Sequence, residues 1–452
     1  MNLYQDIFFR SLDKLRRRRN IERLHQLRQS QFWGPERLRT WQTDRLNILL
    51  QVARQHSPFH APRLRDLSEP LSGPEDLAQL PIMTKTEVRE NRERIRTNHL
   101  PANRYGLAHT GGSTGEPTYF YLDRCGRDWN RGSVYRSAEW AGTMLGRRAV
   151  DISGSAHDHR KARMLRKRLA DMILGHLQFP LVAPTPETYA ELAREIDRHQ
   201  PHSVWGYTSG IVGLAEHLER VGRIDDFPFL AAVVTSSETL LQPQRDTLET
   251  VFGAERIFDH YGSREMYIAA QCSAHDGYHL HADVVITEIV DDEGRPCAPG
   301  QPGRVLLTDL WNHAFPFIRY EIGDVAVPAA DGECPCGVRL PKMSRIEGRI
   351  PDMVVLADRV LTPPNFAIPL SDCRGVQAFQ VRQETRELLR VLVEPNDEFD
   401  ESGRQRILAT MEALVGQQAR VEVVTDEPIE VPESGKRRFV VSNVSAPRPE
   451  AA

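Results

Sequence analysis

The chain has 452 residues, with 62 acidic and 58 basic side chains and a formal net charge of −4. Hydrophobic residues make up 40% and charged residues 27%, the composition of a soluble globular protein, and a charge balance this close to neutral argues against a nucleic-acid binder. No apolar run approaches the roughly 18 residues of a membrane span, the length implies two or three domains, and six cysteines are too few for a disulfide framework in a chain this long.

The N-terminus, MNLYQDIFFRSLDKLRRRRN, places its charges after a short apolar patch. A secretory signal has the reverse order, so a cytoplasmic location is expected. Leu24, Leu27, Trp33, Leu38, Leu46 and Leu50 recur at helical spacing, which predicts helix through residues 1–60. Thr84 followed by Glu87 reads as a capping box opening another helix. From residue 105, short apolar strands alternate with amphipathic helices at 187–199 and 210–221, and Ala231–Thr235 reads as a buried strand. That alternation predicts an α/β fold with a largely parallel sheet. Turn signals at Asp292-Glu293-Gly294 and Pro299-Gly300 make 283–325 a β-rich subdomain. Beyond about residue 349, strands at 353–356, 376–382, 388–393 and 420–424 with a helix at 400–415 predict a small α+β domain, and the Pro/Ala-rich tail 445–452 reads as disordered. The expected fold is therefore α/β. A large N-terminal domain, 1–348, has mixed sheets flanked by helices plus the β-rich subdomain, and a small mobile α+β domain spans 349–452.

Only six of the 58 basic residues are lysine: Lys14, Lys85, Lys161, Lys167, Lys342 and Lys436. Codon bias accounts for the excess of arginine, and a lysine retained in such a background is expected where an amine is needed. The run Arg16–Arg19 and the cluster at 160–168 read either as solvated helix faces or as contacts for an anionic substrate or nucleotide tail.

The densest local signal is His109-Thr110-Gly111-Gly112-Ser113-Thr114-Gly115-Glu116-Pro117-Thr118. Glycines let a backbone approach a ligand closely, and N–H groups with Ser/Thr hydroxyls can hold phosphate oxygens. It is not a Walker loop, which needs GxxxxGK[ST]. Four further motifs follow it in order: Asp259-His260-Tyr261-Gly262-Ser263-Arg264-Glu265; Thr308-Asp309-Leu310 with Pro316–Asp324; Gly348-Arg349-Ile350-Pro351-Asp352; and Ser434-Gly435-Lys436. In this order the chain resembles the adenylate-forming superfamily, in its phenylacetate–CoA ligase and capsular-polysaccharide-type branch, from about residue 30 to 444.

The resemblance implies an ATP-dependent ligase. It would activate a small carboxylic acid, aryl for instance, to an acyl-AMP and pass the acyl group to CoA or another thiol. The roles it implies are specific. Ser113, Thr114 and Gly115 would cradle phosphates, with Thr114 also catalytic. Glu265 would hold Mg²⁺, a hard ion that prefers carboxylate and phosphate oxygens. Asp324 would bind the ribose with Arg349 assisting. Ser236, Ser237, Glu238, Asp259, Tyr261, Gly262 and Ser263 would line the nucleotide pocket. Lys436, carried by the small domain, would bridge carboxylate and α-phosphate. Other acceptors fit the same chemistry: a carrier-protein thiol, an amine, or transfer of AMP itself to a target. A non-catalytic module of the same fold is the remaining alternative. Trp205, Tyr207, Ser209 and Tyr267 are candidates for the acid pocket, by stacking on a flat acid.

Cys272-Ser-Ala-His275, then His279 and His281, then Cys334-Pro-Cys336-Gly form a second constellation. Zinc prefers four Cys/His ligands in a tetrahedron, and members of this branch with CPCG look like zinc binders. The expected set is Cys272, His279, Cys334 and Cys336, with His275 as the competitor for the histidine position. Four protein ligands leave no open position, so this zinc would be structural.

Three departures stand out. Arg264 occupies a position commonly Thr or Ser, Pro351 stands where an Asp is common, and the stretch Leu356–Val360 contains no glycine. Proline restricts its own φ and its neighbour, which bears on how the small domain turns. The glycine-free stretch leaves adenylation better supported than transfer to CoA.

Overall fold

A computed structural model of the chain describes residues 3–67, 70–110, 118–153, 175–181, 184–349, 352–357, 360–363, 365–366, 370, 373–429 and 438–444. The basic cluster at 160–168 and the tail 445–452 lie outside them.

The N-terminal sixty residues form helices Leu3–Leu15, Asn20–Ser30 and Pro35–His56. The second packs Leu24 and Leu27 against the helix Arg124–Trp140. A Cβ at Gly132 would lie 3.0 Å from Leu27 Cδ1 and 3.1 Å from Arg23 Cβ, so glycine permits this close crossing. Beneath it, buried Arg136 donates to both oxygens of Asp283 at 2.6 and 2.8 Å and to His281 Nδ1 at 2.7 Å. This network, which leaves only the buried Arg136 Nε of that guanidinium without a partner among the described residues, ties two helices to the strand region. The Thr84 capping box forms as read: Thr84 Oγ1 accepts from the Glu87 amide at 3.2 Å, and the Glu87 carboxylate accepts from the Thr84 amide at 2.7 Å, worth about 1 kcal/mol.

Strands β1 (Tyr105–His109) and β2 (Tyr119–Asp123) pair antiparallel. Five parallel strands follow, β3 (Ala149–Ser153), β4 (His176–Pro180), β5 (Ser203–Tyr207), β6 (Ala232–Ser236) and β7 (Ile257–Gly262). They lie in the order β4-β3-β5-β6-β7. The sheet continues without a break. Strands β8 (Tyr267–Ala270), β9 (Tyr278–Leu280), β10 (Val285–Val290), β11 (Gly303–Asp309), β12 (Tyr320–Pro328) and β13 (Lys342–Arg349) extend it to eleven described strands. The β-rich segment and the parallel strands are one sheet because β13 pairs with β9 through Lys342↔His279 and Met343↔Tyr278, satisfying an edge that would otherwise lie open.

Register decides what each face of the parallel strands carries. Val150, Val204, Val233 and Ile257 share one face, buried under helices Pro186–His199, Thr208–Arg220 and Gln242–Phe252. The opposite face carries Asp151, Trp205, Val234 and Phe258 in one row and Tyr207, Ser236 and His260 in the next. Its polar and aromatic members are mostly half-exposed, unlike a face sealed by helices.

Past residue 352 come a short pair, β14 (Val354–Val355) and β15 (Val360–Leu361), and a four-stranded sheet. The latter comprises β16 (Val376–Thr385), β17 (Leu388–Pro395), β18 (Arg420–Val424) and β19 (Val440–Ser442), ordered β18-β17-β16-β19. Helix Glu401–Val415 buries Ile407, Met411 and Val415 against it, in a core shared with Leu241 from the preceding region.

Candidate active site

The C-terminal ends of β6 and β7 meet β12, β13 and the residues around Asp352 and Arg438 in one cleft. Open α/β sheets place their ligand sites at such strand ends. Asp324 on β12 and Arg349 on β13 are register partners, and Arg349 Nε lies 3.5 Å from Asp324 Oδ1. Tyr261, ending β7, donates its hydroxyl to Asp324 Oδ2 at 2.8 Å. Burial first, and then the Asp324 charge, holds the Tyr261 phenol well above its usual pKa, so it remains a donor. Asp324 is thereby oriented by two neighbours while it lines the cleft.

Glu265 follows on the turn after β7. Ser263 Oγ shapes that turn by accepting from the amides of Glu265 and Met266 at 3.2 and 3.3 Å. Glu265 is 2% exposed, and Tyr320 donates to its Oε1 at 3.4 Å. A buried carboxylate with one weak hydrogen bond retains acceptor capacity for a cation. Gly262 leaves room for this turn, since a Cβ there would come within 3.1 Å of the Tyr267 ring. Arg264 is exposed.

Sequence reasoning missed Lys85 as a site residue. Burial lowers its ammonium pKa below the ordinary lysine value, and the charges acting on it are those of Glu265, Arg349 and Asp324. It therefore belongs to the same charged cluster. Its retention among arginines was the signal that could have found it. Asp352 and Arg438 were missed likewise: Arg438 Nε donates to Asp352 Oδ1 at 2.6 Å, and both line the cleft. Burial raises the Asp352 carboxyl, with Arg438 opposing.

The expected nucleotide-pocket residues divide. Ser237 and Glu238 line the cleft, and Ser237 sits in the left-handed region at φ +70°, a strained conformation that turns the chain sharply after β6. Ser236 ends β6 on the opposite face, 3.5 Å from the Gly206 carbonyl. The Glu238 carboxylate accepts from the Ser209 amide at 2.7 Å and from Ser209 Oγ at 3.1 Å. The Asp259 carboxylate is fully buried, taking hydroxyls from Thr235 and Tyr278, each at 2.7 Å. Asp259 thus fixes the floor of the cleft. Of the acid-pocket candidates, Trp205 and Tyr207 share the open sheet face, and Tyr267 stacks on His260 at 5.3 Å. Ser209 lies apart, on the helix after β5. Ser113, Thr114 and Gly115 of the loop, Pro351, and Lys436 lie outside the described residues.

The second constellation closes as its spacing implied. Ligand atoms of Cys272, His279, Cys334 and Cys336 all lie within 4.8 Å of one another. Cys272 and Cys334 sulfurs are 3.6 Å apart, and Cys336 Sγ is 3.3 Å from His279 Nε2. Tetrahedral zinc with bonds of roughly 2.3 Å sets sulfurs about 3.8 Å apart, so the donor set and spacing fit. His279 Nδ1 donates to the Leu340 carbonyl at 3.2 Å, leaving Nε2 toward the sulfurs. His275 turns away to pack on Phe258, with ring centroids 4.8 Å apart.

The fold is that of the adenylate-forming enzymes. No protein-family model matches the chain. Over 347 residues it is 27% identical to the phenylacetate–coenzyme A ligase of Escherichia coli strain K12, covering 71% of this chain and 73% of that protein. A 2-hydroxyisobutyryl-CoA ligase crystallised in its postadenylation state with an acyl-AMP superposes with a TM-score of 0.74, at 23% identity over 91% of both chains. The same ligase with acyl-AMP and CoA, in its thioesterification state, gives 0.57 at 24% identity over the same share of each chain.

Proposed function

We propose that this chain is an acid–CoA ligase that makes an acyl-AMP from ATP and a carboxylic acid and then a thioester. The observation that carries the reading is the set Tyr261, Asp324 and Arg349 in one cleft at the sheet's C-terminal end, with Glu265 and Lys85 acting electrostatically on the same cluster. In the first half-reaction the substrate carboxylate attacks the α-phosphorus and pyrophosphate leaves. In the second, the CoA thiolate attacks the acyl carbonyl and AMP leaves. Both first-step reactants are anions, so the site has to cancel repulsion and stabilise charge at phosphorus.

Asp324, aimed by Tyr261 and Arg349, accepts from the ribose hydroxyls. Lys85 offers an ammonium on the same side as Glu265, suited to phosphate oxygens. Glu265, buried and weakly hydrogen-bonded, would hold a magnesium ion together with those oxygens. Such an ion supplies charge neutralisation on the phosphates. Ser113, Thr114 and Gly115 would cradle the phosphates, and Lys436 would come from the small domain, whose boundary we set at residue 349. Arg438, two residues beyond Lys436, already lines the cleft, which supports delivery of that lysine there. Cys272, His279, Cys334 and Cys336 would hold a structural zinc.

The test is ATP–pyrophosphate exchange over a broad panel of acids, followed by CoA, pantetheine thiol and amine acceptors. Acid-dependent exchange that Lys436→Ala abolishes, with a CoA thioester as the final product, is expected. ATP binding without exchange for any acid would refute the adenylation step. Exchange followed by transfer only to an amine would refute CoA as acceptor.

A further inference from the structure

The run Arg16–Arg19 takes no part in the nucleotide cleft. Three of its members line a second cavity, of about 630 Å³, that shares no lining residue with that cleft. Small-molecule sites enclose roughly 300–1,000 Å³. Three chain segments build this one. Arg17, Arg18 and Arg19 come from the turn between helices Leu3–Leu15 and Asn20–Ser30, and Arg23 from the second of these helices. Arg104 ends the short turn Ala102–Arg104 before β1, and Arg124 opens the helix Arg124–Trp140. Arg124 ties two of the segments together by donating to the Asn103 carbonyl at 3.1 Å. Asp128 ties in the third, its Oδ2 accepting from the Arg19 amide at 3.0 Å. Arg17 stands in the left-handed region at φ +52°. Successive residues of a helix point roughly 100° apart, and this break lets three consecutive arginines face one space.

Six guanidiniums line the cavity against one carboxylate, Asp128, which lies 3.9 Å from Arg18. Glu22, outside the lining, lies 3.4 Å from Arg23 and 3.8 Å from Arg19. Arg17, Arg104 and Arg124 have no carboxylate partner among the described residues, and Arg17 and Arg104 are exposed. Cys125 adds no negative charge, because burial pushes its thiol up to about 11. Like charges gathered this way repel, and burial, then Arg127, lowers the Arg18 pKa. A bound anion would relieve that repulsion. The two longer helices also begin here, which adds the positive ends of their dipoles. No aromatic ring lines the cavity, so nothing in it stacks on a base or an aryl group. Recognition there is by charge and by N–H donors.

We propose that this cavity binds a compact polyphosphate, a small anion with two or more linked phosphate groups. Arg17, Arg104 and Arg124 donate to its oxygens, and Arg18, Arg19 and Arg23 set the surrounding potential. A phosphate group carries up to about two charges where a carboxylate carries one, so linked phosphates match six guanidiniums in the least volume. The planar guanidinium fork holds such oxygens in pairs. The chemistry of the cavity is independent of the adenylation reading.

The experiment is isothermal titration calorimetry on the full chain in magnesium-free buffer. Inorganic triphosphate is the probe, with orthophosphate, citrate and a single-stranded oligonucleotide beside it. Wild type is compared with the double variant Arg17→Gln/Arg104→Gln and with Lys85→Ala, which alters the nucleotide cleft instead. Wild type is expected to bind triphosphate at one site about 10-fold or more tighter than citrate or orthophosphate, and less tightly as salt is raised. The double variant should weaken that site by about 100-fold while keeping the wild-type melting temperature and ATP affinity, and Lys85→Ala should retain it. Absence of triphosphate binding to wild type overturns the inference, as does a double variant that binds like wild type. Loss of the site in Lys85→Ala alone would put the anion in the nucleotide cleft and overturn it too. Equal binding of citrate would refute selection for phosphate, and an oligonucleotide that binds more tightly than triphosphate would refute the small-anion assignment.

Discussion

At the scale of single residues, the cleft separates groups that present chemistry from groups that hold them. Asp324 presents its carboxylate while Tyr261 and Arg349 aim it. Asp324→Ala is expected to raise KM for ATP by ~10-fold or more through the loss of charged hydrogen bonds, measured by exchange at saturating acid. Lys85 should act on the step itself. Lys85→Ala is expected to lower the exchange rate by about 10²-fold with little change in acid KM and an unchanged melting temperature, since the residue is only half-buried. An unaffected rate would remove Lys85 from the phosphate site. Asp309 makes a stability prediction. Burial raises its carboxyl to about 7, helped by Asp123, while the Trp311 and Asn312 amides oppose. A carboxyl whose folded pKa lies above its unfolded one stabilises the fold fully below about pH 4, and that contribution is lost as pH rises through 7. Asp309→Asn should therefore flatten the stability curve between pH 4 and 7. It should leave the variant more stable than wild type at pH 8 by at most about 4 kcal/mol, read from urea unfolding at each pH.

At the scale of elements, the knuckle joins two chain segments sixty residues apart, the β8–β9 connection and the loop before β13. If zinc pins them, the purified protein should contain about one equivalent by elemental analysis. Cys334→Ser should lose the metal and melt on the order of 5–10 °C lower. A metal-free wild type of unchanged stability would refute the assignment. Elements were well read from sequence where their signals are local. The Thr84 box, the helix at 400–415 and the strand at 420–424 depend on caps, period and turn residues within a few positions, and all three appear. The joining of the β-rich strands to the parallel ones was not legible, because it rests on two pairings between β9 and β13 separated by over sixty residues.

At the scale of the whole molecule, the arrangement superposes better on a postadenylation ligase than on the same ligase in its thioesterification state. The small C-terminal sheet packs on a core that also takes in Leu241 of the preceding region. If Lys436 acts at the carboxylate and α-phosphate, as the resemblance implies, Lys436→Ala should abolish adenylation while sparing thioester formation from supplied acyl-AMP. Equal loss in both would argue against separate states. The sequence by itself determined the motif order, the three cysteines of the knuckle and the local elements, since each is encoded within a short window of side chains. Tertiary structure alone decided that His279 rather than His275 faces the cysteine sulfurs, that Asp259 and Glu238 spend their carboxylates on Thr235, Tyr278 and Ser209, and that Lys85 enters the charged cluster. The physical reason is the same in each case: what a charged or polar side chain does is set by the partners that distant strands bring to it, and those partners are not neighbours in the chain.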